Sequence, residues 1–331
     1  MNSSAPYVEH LKTLGYNTVE AGFLRLVALH SGVFFRRQFM QFAGVKSGKR
    51  VDSFLKKLRS NKHCQTYSLN KNAAVYHVTS KAIYRCLEQP NLRHRRSHKI
   101  DYVKTKLLIL DYVLANRTAE YMPTEEEKVH FFTKVLNVPV AHLPTKAYKT
   151  PNSKTETLRY FVDKFPLFLP DVASPEAVRF SYVDPGPHTS IIDFVNHLRL
   201  YAPLFGRLKA ISLVYIYYIS NKWKQAEDLF HAFIRAGCKV GAEDLDLVKY
   251  FRLREAWETR QYERVGSAEL LFLNHAKKKY ATSQYEALYL EWKSGDRTTS
   301  SMTSNDESRA PLATFSTYKI GENYSTFGDL D

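Results

Sequence analysis

Between Arg36 and Thr79 the chain carries two short apolar-striped helices joined at a glycine, then two alternating strands, and this order constrains the fold more than any other feature. The first of the pair, Arg36 to Phe42, turns Phe39 and Phe42 inward and ends at Ala43-Gly44, where glycine permits a sharp turn. The second begins at Ser47-Gly48-Lys49-Arg50 and sets Val51, Phe54, Leu55 and Leu58 at the i, i+3, i+4, i+7 spacing of one buried stripe. After it, His63 to Leu69 and Ala73 to Thr79 alternate around Asn70-Lys71-Asn72, residue types that suit a hairpin turn. An earlier helix from Thr18 to Val33 shows Val19, Phe23, Leu26, Val27 and Leu29 at helical spacing, with Thr18 placed to cap it and Glu20 in its first turn. Thr79 is placed to cap a further helix reaching Leu87.

Helix, helix-turn-helix and hairpin is the order of a winged helix, whose second helix-turn-helix member lies in a DNA major groove. That helix carries bases opposite its apolar stripe. Arg50, Ser53 and Lys57 align along the outer face, with Lys49, Lys56 and Arg59 beside them and Ser47 at the entry, while Lys71 at the hairpin tip is positioned for a phosphate. The formal net charge of +15 is concentrated in the same region: residues 1–110 hold 20 Lys and Arg against 5 Asp and Glu, and the remaining residues hold 28 of each. Clustered cations gain from counterion release on a polyanion, so the expected partner is double-stranded DNA. The competing readings are a basic surface that only aids solubility and a winged helix used for protein contacts.

The domain layout expected is a winged helix over 1–92, a basic linker and connecting helices over 93–150, an α/β domain with C-terminal helices over 151–293, and a disordered tail over 294–331. The run Arg93-His94-Arg95-Arg96-Ser97-His98-Lys99 reads as a solvated linker or as a phosphate contact. The helix Ile100 to Asn116 has an apolar face wide enough for either domain or for a second copy of the chain, which would make a homodimer. Pro123 to Lys128 opens a helix that stops before Pro139. Strands are expected at Arg159–Leu169, Val178–Val183 and Ala210–Ile219, with a helix from Ile191 to Pro203 between the last two, giving a mixed sheet in an α+β chain. Helices follow over Lys224–Ala236, Ala242–Arg260 and Ser267–Trp292, without a 34-residue repeat.

With 331 residues and 44% apolar content the chain can build a core of normal depth. Cys64, Cys86 and Cys238 are too few and scattered for a disulfide framework or a zinc knuckle, which points to a reducing, cytoplasmic compartment. The longest apolar run, Ile211 to Ile219, is far too short to span a bilayer, and the charged residues among the first thirty read as no export signal.

Chemistry-bearing residues gather at expected strand ends: Pro170-Asp171, Tyr182-Val183-Asp184, and the helix bearing Asn196, His197 and Arg199. Two such aspartates could hold magnesium, although Pro-Asp and Asp-Pro pairs are also ordinary turn chemistry, and His197 on an apolar helix reads as a packed histidine. The stretches Leu169-Pro170-Asp171, Phe180-Ser181-Tyr182-Val183-Asp184 and His197-Leu198-Arg199-Leu200-Tyr201, with the helical order from Thr18 onward, resemble the replication-relaxation type of winged-helix proteins of mobile elements. The resemblance implies a DNA-binding N-terminal half and a degenerate restriction-endonuclease-like C-terminal half. The departure lies on the strand that should carry an acid-x-Lys motif: Asp184 is followed by Pro185-Gly186, and no lysine lies on that strand. Without it the water-activating group is missing, so the leading expectation is a non-enzymatic DNA-binding regulator with no cofactor. A metal-dependent nuclease using Asp171 and Asp184 is the alternative, and a winged-helix protein-interaction adaptor with the C-terminal helices as a docking surface is the third.

Overall fold

The computed structural model describes residues 5–46, 48–70, 73–97, 99–149, 156–163, 165–170, 174–186, 189–219, 222–238, 242–262, 265–280, 282, 285–286, 289–290, 293, 311–322 and 324. Of the expected site residues, Ser47, Lys71 and Asp171 lie outside this set. The architecture is a mixed one of helices and strands, of the α+β kind.

The N-terminal unit opens with α1 (Ala5–Lys12) and α2 (Thr18–His30). The cap of α2 is Asn17, one residue before the expected Thr18: its side chain accepts from the Glu20 N–H while Glu20 accepts from the Asn17 N–H, both at 3.0 Å. Then come β1 (Val33–Phe35), α3 (Arg36–Ala43), α4 (Lys49–Ser60), β2 (Cys64–Asn70), β3 (Ala73–Val78) and α5 (Lys81–Cys86). The three strands form one antiparallel sheet in the order β1-β3-β2. Gly44 closes α3 at φ +65°, a left-handed conformation that costs glycine least. The apolar stripe of α4 faces inward as expected, and Phe54 stacks on Phe39 at 4.1 Å between ring centroids, with Phe23 and Phe34 against them. Truncating either stacked ring to alanine would cost about 3–5 kcal/mol.

The next segment is no solvated linker throughout. Residues Arg93–Arg95 form a 3-10 turn against the N-terminal sheet, with His94 buried and its carbonyl 2.8 Å from the His77 Nε2. Gly32, at φ +79°, passes so close that an added Cβ would lie 2.4 Å from the same carbonyl oxygen. Beyond the turn, α6 (Ile100–Ala115) is the hub of the chain. Its Val103, Leu107, Leu108 and Tyr112 pack with Val33, Phe35 and Val75 of the N-terminal unit and with Phe168, Val183, Val214 and Ile216 of the larger sheet. The apolar face offered to a second copy of the chain is thus covered from within.

The body continues through β4 (Glu120–Tyr121), α7 (Glu125–His130), β5 (Thr145–Lys149), β6 (Glu156–Tyr160), β7 (Phe168–Leu169), β8 (Arg179–Asp184), α8 (Ile191–Phe205), β9 (Ala210–Tyr217), α9 (Trp223–Arg235), α10 (Ala242–Glu258), α11 (Ser267–Tyr280) and β10 (Leu312–Lys319). The five-stranded sheet runs β10-β9-β8-β7-β4, with β8, β9 and β10 parallel and β7 and β4 antiparallel to their neighbours. Alternation along β9 explains its burial on both faces. Ile211, Leu213 and Tyr215 meet α8 and α9, whereas Val214 and Ile216 meet α6.

Two expectations need correction. The span Arg159–Leu169 is not one strand: its start ends β6, paired in a hairpin with β5, and its end is β7 in the large sheet, with Phe161 at φ +48° breaking the extended run. The tail from 294 is not disordered throughout, because β10 adds an edge strand and Ile320 and Tyr324 are buried behind it. Among the described residues no helix is long and apolar enough to cross a membrane.

Candidate nucleic-acid interface

Four apolar side chains anchor α4, so the opposite side of the helix is fixed toward solvent. At 100° per residue the outermost row is Lys49, Ser53, Lys56 and Ser60, all exposed, with exposed Arg50 on one flank and exposed Arg59 on the other. Lys49, Arg50, Ser53 and Lys56 therefore stand together on one accessible surface.

Lys57 does not join them. Its ammonium donates to Glu20 Oε2 at 2.6 Å and to the Gly15 carbonyl at 2.9 Å, and lies 5.3 Å from the Tyr16 ring centroid. Glu20 is itself buried, so this pair ties α4 to the start of α2 and is structural. The acidic residue of α4, Asp52, is occupied by the Arg36 guanidinium, which removes a repulsive charge from an otherwise basic face. β2 lies beside this helix as the outer strand of its sheet, with Gln65, Thr66, Tyr67 and Ser68 exposed.

The unit bearing α4 is held to α6 by a buried polar cluster that sequence spacing could not show. Asp111 of α6 accepts Arg37 Nη1 and Nη2 at 2.8 and 2.7 Å, Gln38 Nε2 at 2.7 Å, and the Tyr324 hydroxyl. Gln38 also accepts from the Phe35 N–H at 2.8 Å and donates to the Leu107 carbonyl at 2.9 Å. Arg37 and Gln38 belong to α3, so it is the first helix of the pair that is clamped to α6.

In the body, Asp184 is fully buried: one carboxylate oxygen accepts the Gly186 N–H at 3.0 Å and the other accepts the Tyr215 hydroxyl at 2.7 Å. His197 is buried with its Nδ1 3.1 Å from Asp163 Oδ2, and Asp163 also accepts the Tyr201 hydroxyl at 3.2 Å. Burial alone would push the Asp163 carboxyl up. The hydrogen bond and charge of His197, the Lys128 ammonium and the Tyr201 hydroxyl instead hold it below its ordinary value. Phe165, Tyr182 and Tyr201 surround the imidazole, the packed role expected for it. Among the described residues no group of three His, Cys, Asp or Glu side chains could hold a metal ion.

No protein family, curated protein or solved structure compared with the chain matches it. The functional reading consequently rests on the geometry and charge above.

Proposed function

We propose that the protein binds duplex DNA through a winged helix-turn-helix in which α3 and α4 are the paired helices, β2 and β3 form the wing, and α4 enters the major groove. The observation that carries this reading is the exposed basic surface of α4, Lys49, Arg50 and Lys56 around Ser53, on a unit whose charge is strongly one-sided. An α-helix fits the major groove of B-DNA, and an arginine there can donate two hydrogen bonds to a guanine edge. Lysines beside it hold phosphates as point charges. Lys57 is left out because its ammonium is committed to Glu20. A role as a transcription or replication regulator of a mobile element follows from the sequence resemblance and belongs to the same proposal.

The test is duplex binding by the full chain, measured by fluorescence anisotropy over a salt series. The Lys49→Ala/Arg50→Ala/Lys56→Ala variant alters only exposed side chains and should lower the slope of log affinity against log salt by roughly 2 to 3. Arg50→Ala alone should flatten the preference for the best site over random DNA by about 1–3 kcal/mol. An unchanged slope in the triple variant overturns the proposal.

A further inference from the structure

A cleft of about 760 Å³ opens between the N-terminal unit and the body, within the size range of small-molecule sites. Its walls are α2, the turn after α5, the chain from the end of α6 into β4, and the start of α7. Arg25 of α2 lines it, half-buried. The Arg25 Nε is sealed from solvent and has no hydrogen-bond partner, and among the described residues the rest of the guanidinium makes no hydrogen bond or ion pair either. Burial accordingly pulls its pKa below the ordinary value, and the charges of Glu127 and Tyr7 only partly oppose this. A guanidinium carries five N–H donors and keeps its charge in proteins, so holding one half-buried and unanswered disfavours the fold unless something enters to accept from it.

The other charges around the cleft select the ligand. Arg117 donates to the Phe42 carbonyl at 3.3 Å and lies over the Phe42 ring, so it is already committed. Of the carboxylates, Glu127 accepts the Thr124 N–H at 2.9 Å and its hydroxyl at 2.8 Å, and Glu88 accepts the Tyr7 hydroxyl at 3.5 Å. Glu120, partly exposed, and Glu126, exposed, have no hydrogen bond or ion pair among the described residues. Between them and Arg25 the wall offers partly exposed apolar surface from Leu26, Ala119 and Pro123. A simple anion would meet Arg25 but also the repulsion of the carboxylates. A simple cation would meet the carboxylates and leave Arg25 unanswered. A molecule that carries both charges complements both parts of the wall.

We propose that this cleft binds a small zwitterion, its carboxylate accepting from Arg25, its ammonium donating to Glu120 and Glu126, and an aliphatic chain joining the two. Such a ligand touches α2 on one side and the start of α7 on the other, so it braces the N-terminal unit against the body. The site is separate from the basic face of α4 and does not depend on the DNA-binding reading.

Isothermal titration calorimetry of the full chain with the ω-amino acids from 4-aminobutanoate to 8-aminooctanoate tests this, because the series changes only the separation of the two charges. At least one member should bind with one-to-one stoichiometry. The alkanoate and the alkylamine of the same length, each lacking one charge, should bind more weakly by roughly tenfold or more. Arg25→Met, which keeps the length and removes the charge, should abolish the binding in a chain whose circular dichroism is unchanged. Glu120→Gln/Glu126→Gln, which alters two side chains outside the core, should weaken the amino acid and strengthen the alkanoate, a reversal that mere loss of structure would not produce. Absence of binding across the series, an alkanoate as tight as its amino acid, or a Glu120→Gln/Glu126→Gln chain that binds both as the parent does would overturn the proposal.

Discussion

Replacing Asp111 with alanine should unbalance the join between the N-terminal unit and α6 more than any exposed substitution. The carboxylate is 4% exposed and takes four donors: two from Arg37, one from Gln38 and one from Tyr324. Without it the Gln38 amide, itself fully buried, loses an acceptor, and Arg37, 28% exposed, keeps a half-buried charge that among the described residues is left with the more distant Glu322 carboxylate at 3.6 Å and the Phe35 and Tyr324 rings. Breaking a buried pair by removing one partner costs about 3–5 kcal/mol, a large part of the ~5–15 kcal/mol by which folded chains are stable. With a urea m-value of roughly 3 kcal/mol per molar, the unfolding midpoint should fall by about 1 M or slightly more. The assay is urea unfolding followed by far-ultraviolet circular dichroism and tyrosine fluorescence together. The double variant Arg37→Met/Asp111→Ala removes the orphaned charge and should recover a good part of the loss, because the penalty lies in the stranded guanidinium and less in the missing contact. If Asp111→Ala shifts the midpoint by less than about 0.3 M, or the double variant is no better than the single, the buried pair is not what holds α3 to α6.

Two further perturbations address other parts of the fold. His30 is buried against Tyr121, and burial first, then the charges of Arg25, Lys128 and Lys106, push its imidazole down to about 3. It folds neutral while the unfolded chain protonates it near 6.5, so its contribution is complete above that value and is lost as pH falls from about 6.5 toward 3, at up to ~1.4 kcal/mol per unit. His30→Leu should therefore flatten the pH dependence of the urea midpoint between about pH 6.5 and 5, and parallel curves for the two proteins would refute this. Gly32→Ala combines a left-handed backbone with a Cβ set against the His94 carbonyl, and should destabilise by more than about 2 kcal/mol; a variant as stable as the parent would show that the 3-10 turn can move aside at no cost.

The helices and hairpin between Thr18 and Leu87 are legible in the sequence because each is long enough to show its period and is punctuated by Gly44, Gly48 or the Asn-rich tip. β1 is not, since three consecutive buried residues carry no periodicity. The commitment of Lys57 is equally invisible: the wheel puts it on the basic face, and only the fold brings Glu20, 37 residues earlier, to its ammonium. In the body, β8, α8 and β9 follow their apolar patterns closely, whereas Arg159–Leu169 looks like one strand because the backbone turn at Phe161 occurs at a residue type that normally extends. β10 is obscured by the serine-, threonine- and asparagine-rich composition before it, although Thr314, Phe315, Thr317 and Tyr318 are strand-favouring types.

The parallel pairing of β10 with β9, and the seat of Tyr324 behind it, set an order of events during synthesis. Tyr324 emerges 213 residues after the Asp111 carboxylate that receives it, an interval of roughly 10–40 s at ordinary rates of translation. Through that interval α6 already carries one of its two loads, the N-terminal unit gripped by Arg37 and Gln38, while the rim of the large sheet beside β9 waits for its last strand. The nascent chain thus presents a finished N-terminal unit on an unfinished support, and a ribosome that stalls within α10 or α11 leaves β9 as an open, β-branched edge available to any extended peptide nearby.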